Sequence, residues 1–313
     1  MTAAQVQRFV FEGLGYQCRI VENPAPRTEP IVIVGGAFQN IYSYRRLEGP
    51  WAEAATVISV DLPGSGASDP LPAAYGFDFL SGVLADVLDR LALGKVNLYA
   101  VSYGVPVAYH LAQDHPDRVA RLALMGAASL YPPEGLRGLR AMADALASAD
   151  SDDYARRSVA ALMAPADRPV RNRAAVTRLL ARDMSAITGA AFDRHLASTR
   201  RVIDWQGLPP GGITGIPALC FTGEHDTLTR PDLGREAAST IEGSVFTLVR
   251  ETDHLPALER HREVSQLLLR FFTGQSLEAL DFLTPLEHPS AIEKARADFA
   301  PLGHQAVRSG AAW

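Results

Sequence analysis

The 313-residue chain is poor in the residues that most often mark a compartment or a metal site. Cysteine occurs twice, at Cys18 and Cys220, too few for a disulfide framework or a thiolate cluster. Both lie in runs that read as strands, so they are expected to be free, buried thiols of a reducing compartment. Lysine is equally scarce: Lys95 and Lys294 are the only two among 30 basic residues. The arginine and alanine richness reads as genomic composition rather than function. A net charge of −5 and a pI near 5.9 argue against a nucleic-acid partner, which favours a basic patch. No apolar run is long enough to span a bilayer. Met1 to Arg8 lacks a basic stretch leading into an apolar one, so the sequence predicts a soluble cytoplasmic chain with no membrane partner. No His/Cys cluster has ligand spacing and no phosphate loop is evident, so neither a metal nor an organic cofactor is expected.

What is present is alternation. Val6 to Phe11 and Tyr16 to Glu22 read as a hairpin turned at Gly13-Leu14-Gly15. Short, fully apolar strands follow at Pro30 to Val34, Thr56 to Val60, Lys95 to Val101 and Val119 to Met125. Between them Phe77 to Leu93 carries apolar residues at helical spacing, and Val105 to Asp114 continues as a helix with Pro106 in its first turn, where proline is tolerated. Strands buried on both faces and alternating with helices predict an α/β architecture with a mostly parallel central sheet. From Ser129 to about Gly215 only helical periodicity remains, interrupted by prolines. That segment, 129–213, is expected to be a helical lid inserted after the sixth strand, over the strands' C-terminal edge. The sheet resumes at Ile216 to Phe221 and Ser244 to Arg250, and Ala257 to Phe272 is its last helix. The domains are therefore a core of 1–128 with 214–273, the lid, and a tail of 274–313 with modest helical signal at Ile292 to Phe299.

One serine stands out. Ser102, in Ala100-Val101-Ser102-Tyr103-Gly104, follows a strand, opens a helix, and alone among the serines has Ala or Gly both two before and two after it. A tight strand-to-helix turn needs small residues there, because backbone approaches backbone. After the next sheet strand comes Gly223-Glu224-His225-Asp226, and after the one beyond it Thr252-Asp253-His254. A hydroxyl needs a base, imidazole titrates near the working pH, and a buried acid holds the imidazole in one tautomer. Ser102, Asp226 and His254 are thus the candidate nucleophile, acid and base. His225 should project elsewhere than Asp226, and Asp253 is the rival acid. Two amides must receive the oxyanion. The Tyr103 amide is one candidate. Ala37 is the other, in Gly35-Gly36-Ala37-Phe38, with Phe38 next.

Residues 30 to 128 and 214 to 272 resemble the α/β-hydrolase fold superfamily in its serine-nucleophile branch. Asp61-Leu62-Pro63-Gly64-Ser65-Gly66-Ala67-Ser68 is similar to that family's Asp-x-x-Gly-x-Gly-x-Ser turn, and the Asp226…Pro231 and His254…Glu259 segments follow its habits. The usual His-Gly of the oxyanion turn is Gly35-Gly36 here, and the usual first elbow Gly is Ala100. With Gly223 to Thr229, those departures resemble bacterial 3-hydroxyacyl transferases that act on carrier-bound acyl groups. The resemblance implies an esterase or thioesterase working through an acyl-Ser102, an acyltransferase with the same intermediate, or a receptor that retains the fold without activity. The expected partner is a small acyl substrate, free or on an acidic carrier protein. Phe38, Met142, Leu146 and Met184 are candidate substrate contacts, and Arg156, Arg157, Arg168, Arg171, Arg173, Arg178 and Arg182 make the lid locally basic, as an acidic carrier would prefer. A lid core and a solvated charged face explain the same residues without a ligand.

Overall fold

A computed structural model describes residues 4–289. Its centre is an eight-stranded sheet of order β1-β2-β4-β3-β5-β6-β7-β8. The strands are β1 (Gln5–Phe11), β2 (Leu14–Val21), β3 (Ile31–Val34), β4 (Val57–Asp61), β5 (Val96–Val101), β6 (Val119–Met125), β7 (Ala218–Gly223) and β8 (Val245–Val249). The β1–β2 and β2–β4 pairings are antiparallel, and every other pairing is parallel. The opening hairpin is tighter than its glycines suggest. Phe11 pairs with Leu14, leaving Glu12 (φ 48°) and Gly13 (φ 81°) as a two-residue turn. Positive φ at both central positions matches the right-handed twist of the two strands, so Leu14 and Gly15 join β2.

Alternation along the strands divides the core in two. Val32, Leu98 and Leu122 face α2 (Phe77–Arg90), α3 (Gly104–Asp114) and α8 (Pro231–Ser239). Ile33, Tyr99, Ala123 and Leu219 face α1 (Arg45–Ala52) and α10 (His261–Phe272). The helix α1 has no clear sequence signal, since Gly49 and Pro50 sit inside it. Tertiary contacts carry it. Leu47 and Trp51 are buried, the Trp51 indole donates to the Ser265 carbonyl at 3.0 Å, and Glu48 pairs with Arg19 at 2.5 Å. The last core helix is two pieces rather than one: α9 (Pro256–Glu259) and α10 meet at Arg260, whose φ of −134° breaks the helical path.

Four helices separate β6 from β7: α4 (Pro133–Ala147), α5 (Ser151–Leu162), α6 (Arg173–Ser185) and α7 (Ala190–Ile203). They share a small core of their own around Leu139, Met142, Leu146, Tyr154 and Met184. After α10 the chain returns along β8. Backbone bonds join Phe246 to Glu287 in both directions at 2.8 Å, and the Thr284 amide donates to Leu248 at 3.0 Å. That segment shields a strand edge that would otherwise expose unpaired backbone groups. The helical signal expected at Ile292 to Phe299 lies outside the described residues.

Candidate active site

The parallel register sets the site. Val34 pairs with Ala100, Ala100 with Leu124, Leu124 with Cys220, and Cys220 with Phe246. The turns that follow β3, β5, β7 and β8 therefore emerge along one edge. Ser102 lies two residues past this line, Asp226 six past and His254 eight past.

Ser102 occupies the left-handed region at φ 46°, where a non-glycine residue costs about 1–3 kcal/mol and persists only if its surroundings insist. They do. Its amide donates to the Met125 carbonyl at 2.7 Å, and the Val105 amide returns to the Ser102 carbonyl at 2.9 Å. A Cβ at Gly104 would lie 2.6 Å from the Val34 carbonyl oxygen and 2.8 Å from that of Gly35. Glycine at 104 is what lets α3 start against β3.

The three side chains converge. Ser102 Oγ lies 3.1 Å from His254 Nε2, and His254 Nδ1 lies 2.9 Å from Asp226 Oδ2. A carboxylate only accepts, so Nδ1 carries the proton and Nε2 offers its lone pair to the hydroxyl. Asp226 is saturated with donors. The Leu228 and Thr229 amides reach Oδ1 at 2.9 Å each, and the Thr229 hydroxyl reaches Oδ2 at 2.6 Å. Thr222 also donates its hydroxyl to Oδ2. Burial pushes the Asp226 carboxyl up, but the His254 imidazole and these hydroxyls outweigh it and hold the carboxyl below its usual range. Burial pulls His254 down, and the opposing charge and hydrogen bond of Asp226, with a contribution from Asp253, leave it above the usual histidine value. Asp253, the rival acid, is fully buried but turns away: its Oδ2 accepts from the Ala164 amide between α5 and α6 at 3.1 Å. His225 likewise faces elsewhere, toward Glu224.

The turn after β3 is held by two side chains to which sequence reasoning assigned no such part. Gln39 Oε1 accepts from the Gly36 amide at 2.7 Å and from the Tyr44 hydroxyl. Asp61 Oδ1 accepts from the Ile41 amide at 2.9 Å, while Gln17 donates to its Oδ2 at 2.8 Å. The Asp-x-x-Gly-x-Gly-x-Ser turn thus ties the β4 loop to the β3 loop, and Gly66 is needed because a Cβ there would overlap the Asp61 carboxylate. With the Gly36 amide engaged, the Ala37 and Tyr103 amides have no protein acceptor among the described residues, and both residues border the same cleft as Ser102 and His254.

That cleft encloses only about 80 Å³ of space open to a water-sized sphere, within a wider hollow of about 690 Å³ that includes open solvent. Phe38 and Met142 line it. Leu146 and Met184 do not: both are buried in the core shared by the inserted helices. Three residues without a sequence signal, Gln39, Ser198 and Thr199, line it instead. Behind Tyr103, a buried arginine from α7 closes the floor. Arg201 donates to the Tyr103 hydroxyl at 2.5 Å, to the Tyr75 carbonyl at 2.6 Å and to the Pro72 carbonyl at 2.7 Å.

A family model described as "alpha/beta hydrolase fold" matches residues 29–260. A 2-hydroxy-6-oxononadienedioate/2-hydroxy-6-oxononatrienedioate hydrolase of Cupriavidus pinatubonensis is 27% identical over 234 residues, 72% of this chain and 79% of that protein. A poly(3-hydroxyalkanoate) depolymerase of Ectopseudomonas oleovorans is 34% identical over 108 residues, 33% of this chain and 37% of its own length. Among solved structures, an α/β hydrolase from a Medee basin deep-sea metagenome library aligns with a TM-score of 0.76 at 18% identity, over 86% of this chain and 98% of that one. The enol-lactonase of Burkholderia xenovorans LB400 aligns with a TM-score of 0.71 at 23% identity, over 85% and 100%. At those identities the likeness speaks for the fold alone.

Proposed function

The chain belongs to the α/β-hydrolase fold family and is an enzyme of the hydrolase kind, and from that premise we propose that it opens an acyl ester or thioester through an acyl-Ser102 intermediate. The observation that carries this reading is the unbroken Ser102–His254–Asp226 chain of 3.1 and 2.9 Å contacts. His254 Nε2 takes the Ser102 proton as Oγ attacks the acyl carbon. The Ala37 and Tyr103 amides receive the resulting oxyanion, a stabilisation worth about 2.7–4 kcal/mol for each donor. Nε2 then returns its proton to the departing alkoxide or thiolate, and the leaving group exits as alcohol or thiol. Water, deprotonated by the same nitrogen, then attacks the acyl carbon, the Ser102 Oγ–acyl bond breaks, and Nε2 returns the proton to Oγ as the acid leaves. Asp226 keeps Nδ1 protonated and offsets the imidazolium charge in both halves. The inserted helices α4 to α7 act as a lid whose inner wall receives the acyl group.

Transfer to an alcohol or thiol uses the same intermediate, and the cleft lends it no separate support. The lid arginines that would favour an acidic carrier are largely committed. Arg156 and Arg157 pair with Asp153, Arg171 with Glu251, Arg182 with Asp183, and Arg173 donates to backbone carbonyls of its own loop.

The test is a short-chain p-nitrophenyl ester with intact-mass analysis of the protein. Wild type is expected to turn the ester over and to show a transient acyl adduct on Ser102. Ser102→Ala is expected to lose both, with about a 10⁶-fold fall in kcat. Turnover that survives Ser102→Ala unchanged would remove the reading.

A further inference from the structure

The charge pattern around the cleft narrows its substrate. We infer that the site selects an uncharged acyl group and rejects one that carries a carboxylate, an inference that rests on the acyl-enzyme reading above. The walls beyond Ser102 are apolar: Phe38, Leu139, Met142, Leu162, Val202 and Leu228. The polar groups among them, Gln39, Ser198 and Thr199, are uncharged. No lysine or arginine lines the cleft among the described residues.

The buried cation behind Tyr103 is withdrawn from use. Arg201 is 3% exposed, and its guanidinium is spent on the Tyr103 hydroxyl and on the carbonyls of Leu71, Pro72 and Tyr75. A carboxylate entering the cleft would have to pull it from the Tyr103 hydroxyl and three backbone carbonyls, of which that of Leu71 belongs to a buried residue. The base side of the cleft is negative as well. Asp226 and Asp253 are both buried against the His254 turn, and the cations near that turn already have partners. Arg260 pairs with Glu251 and Glu263, and Arg173 is held by carbonyls. A substrate anion would thus lose its water with no lysine or arginine among the lining residues to meet it, and would face the Asp226 carboxylate across the imidazole.

Two isosteric six-carbon acyl groups separate the ideas: p-nitrophenyl hexanoate and the p-nitrophenyl monoester of adipic acid. The full chain is expected to favour the hexanoate in kcat/KM by about a hundredfold or more. A ratio below about threefold, or a preference for the anion, overturns the inference while leaving the acyl-enzyme reading intact. Binding is read separately, so that a failure of hydrolysis does not decide it. Ser102→Ala is titrated calorimetrically with hexanamide and with adipic acid monoamide. Tighter binding of hexanamide by about tenfold or more supports the inference even if neither ester is cleaved. Equal binding of both, stronger binding of the anion, or binding of neither overturns it.

Discussion

At the scale of single residues, two side chains deserve separate tests because each acts through a neighbour. Asp226 holds His254 above the ordinary histidine pKa, so on the proposed mechanism the base is neutral, and turnover possible, only above that raised value. The acid limb of kcat/KM is therefore expected to fall off at a pH higher than free histidine would give. In Asp226→Asn the charge is gone and burial, which disfavours imidazolium, prevails. The acid limb should move to lower pH while the rate falls about 10⁴-fold. An acid limb that stays put, measured between pH 4 and 9 on the p-nitrophenyl ester, would mean that Asp226 does not set the base. Gln39 is the second. Gln39→Ala strands the Gly36 amide and the Tyr44 hydroxyl and lets the turn that carries Ala37 relax. Here the expected signature is a fall of roughly ten- to a hundredfold in kcat with KM nearly unchanged, because only the transition state uses the Ala37 amide. A rise in KM alone would place Gln39 in substrate binding.

At the scale of elements, legibility followed locality. The nucleophile turn could be read from sequence because its demands are local: small residues at 100 and 104, a strand before and a helix after. That Asp226 and His254 would meet Ser102 was legible by chain order, since each follows a sheet strand at the same edge. What escaped reading depends on contacts distant in sequence. Helix α1 forms despite Gly49 and Pro50 because Trp51 and Leu47 fill the space beside α10. Leu146 and Met184 carry the same helical spacing as Met142, and only packing decides that they face the neighbouring helices and not the cleft. Arg201 was one arginine among many on a helix, yet it joins α7 to the nucleophile turn. Arg201→Met would remove the donor to the Tyr103 hydroxyl and to the Tyr75, Leu71 and Pro72 carbonyls, and a loss of about 1–3 kcal/mol in urea unfolding is expected. Unchanged stability would show that water or a neighbour takes over those oxygens.

At the scale of the whole molecule, stability is expected to be uneven, and the unevenness bears on access to Ser102. The sheet core has two broad layers, one on each face, that tie strands to helices α2, α3 and α8 on one side and α1 and α10 on the other. The inserted helices have smaller cores: seven buried residues from Leu139 to Met184, and Met163, Val176 and Leu180, which pack with Leu255 and Leu258 of the body. Beyond that seam their polar ties to the body include the Ala164 amide on Asp253, the Arg171 amide on the Glu251 carbonyl, the Asn172 side-chain amide on the Glu259 carbonyl, Arg194 on the Gly66 carbonyl, and Arg201. Segments with few apolar contacts open at lower free energy than the global unfolding transition. Native-state hydrogen exchange should therefore show α4 to α6 opening several kcal/mol below β5 and β6, with the α7 end near Arg201 slower than α4. Leu139 and Met142 of α4 and Leu162 of α5 line the cleft, so an opening of those helices would widen the path to Ser102. A saturating uncharged amide such as hexanamide should slow exchange in α4 to α6 and leave β5 unaffected. If α4 to α6 instead exchange only with the core, the insertion is a rigid roof, and substrate must enter through the opening already present.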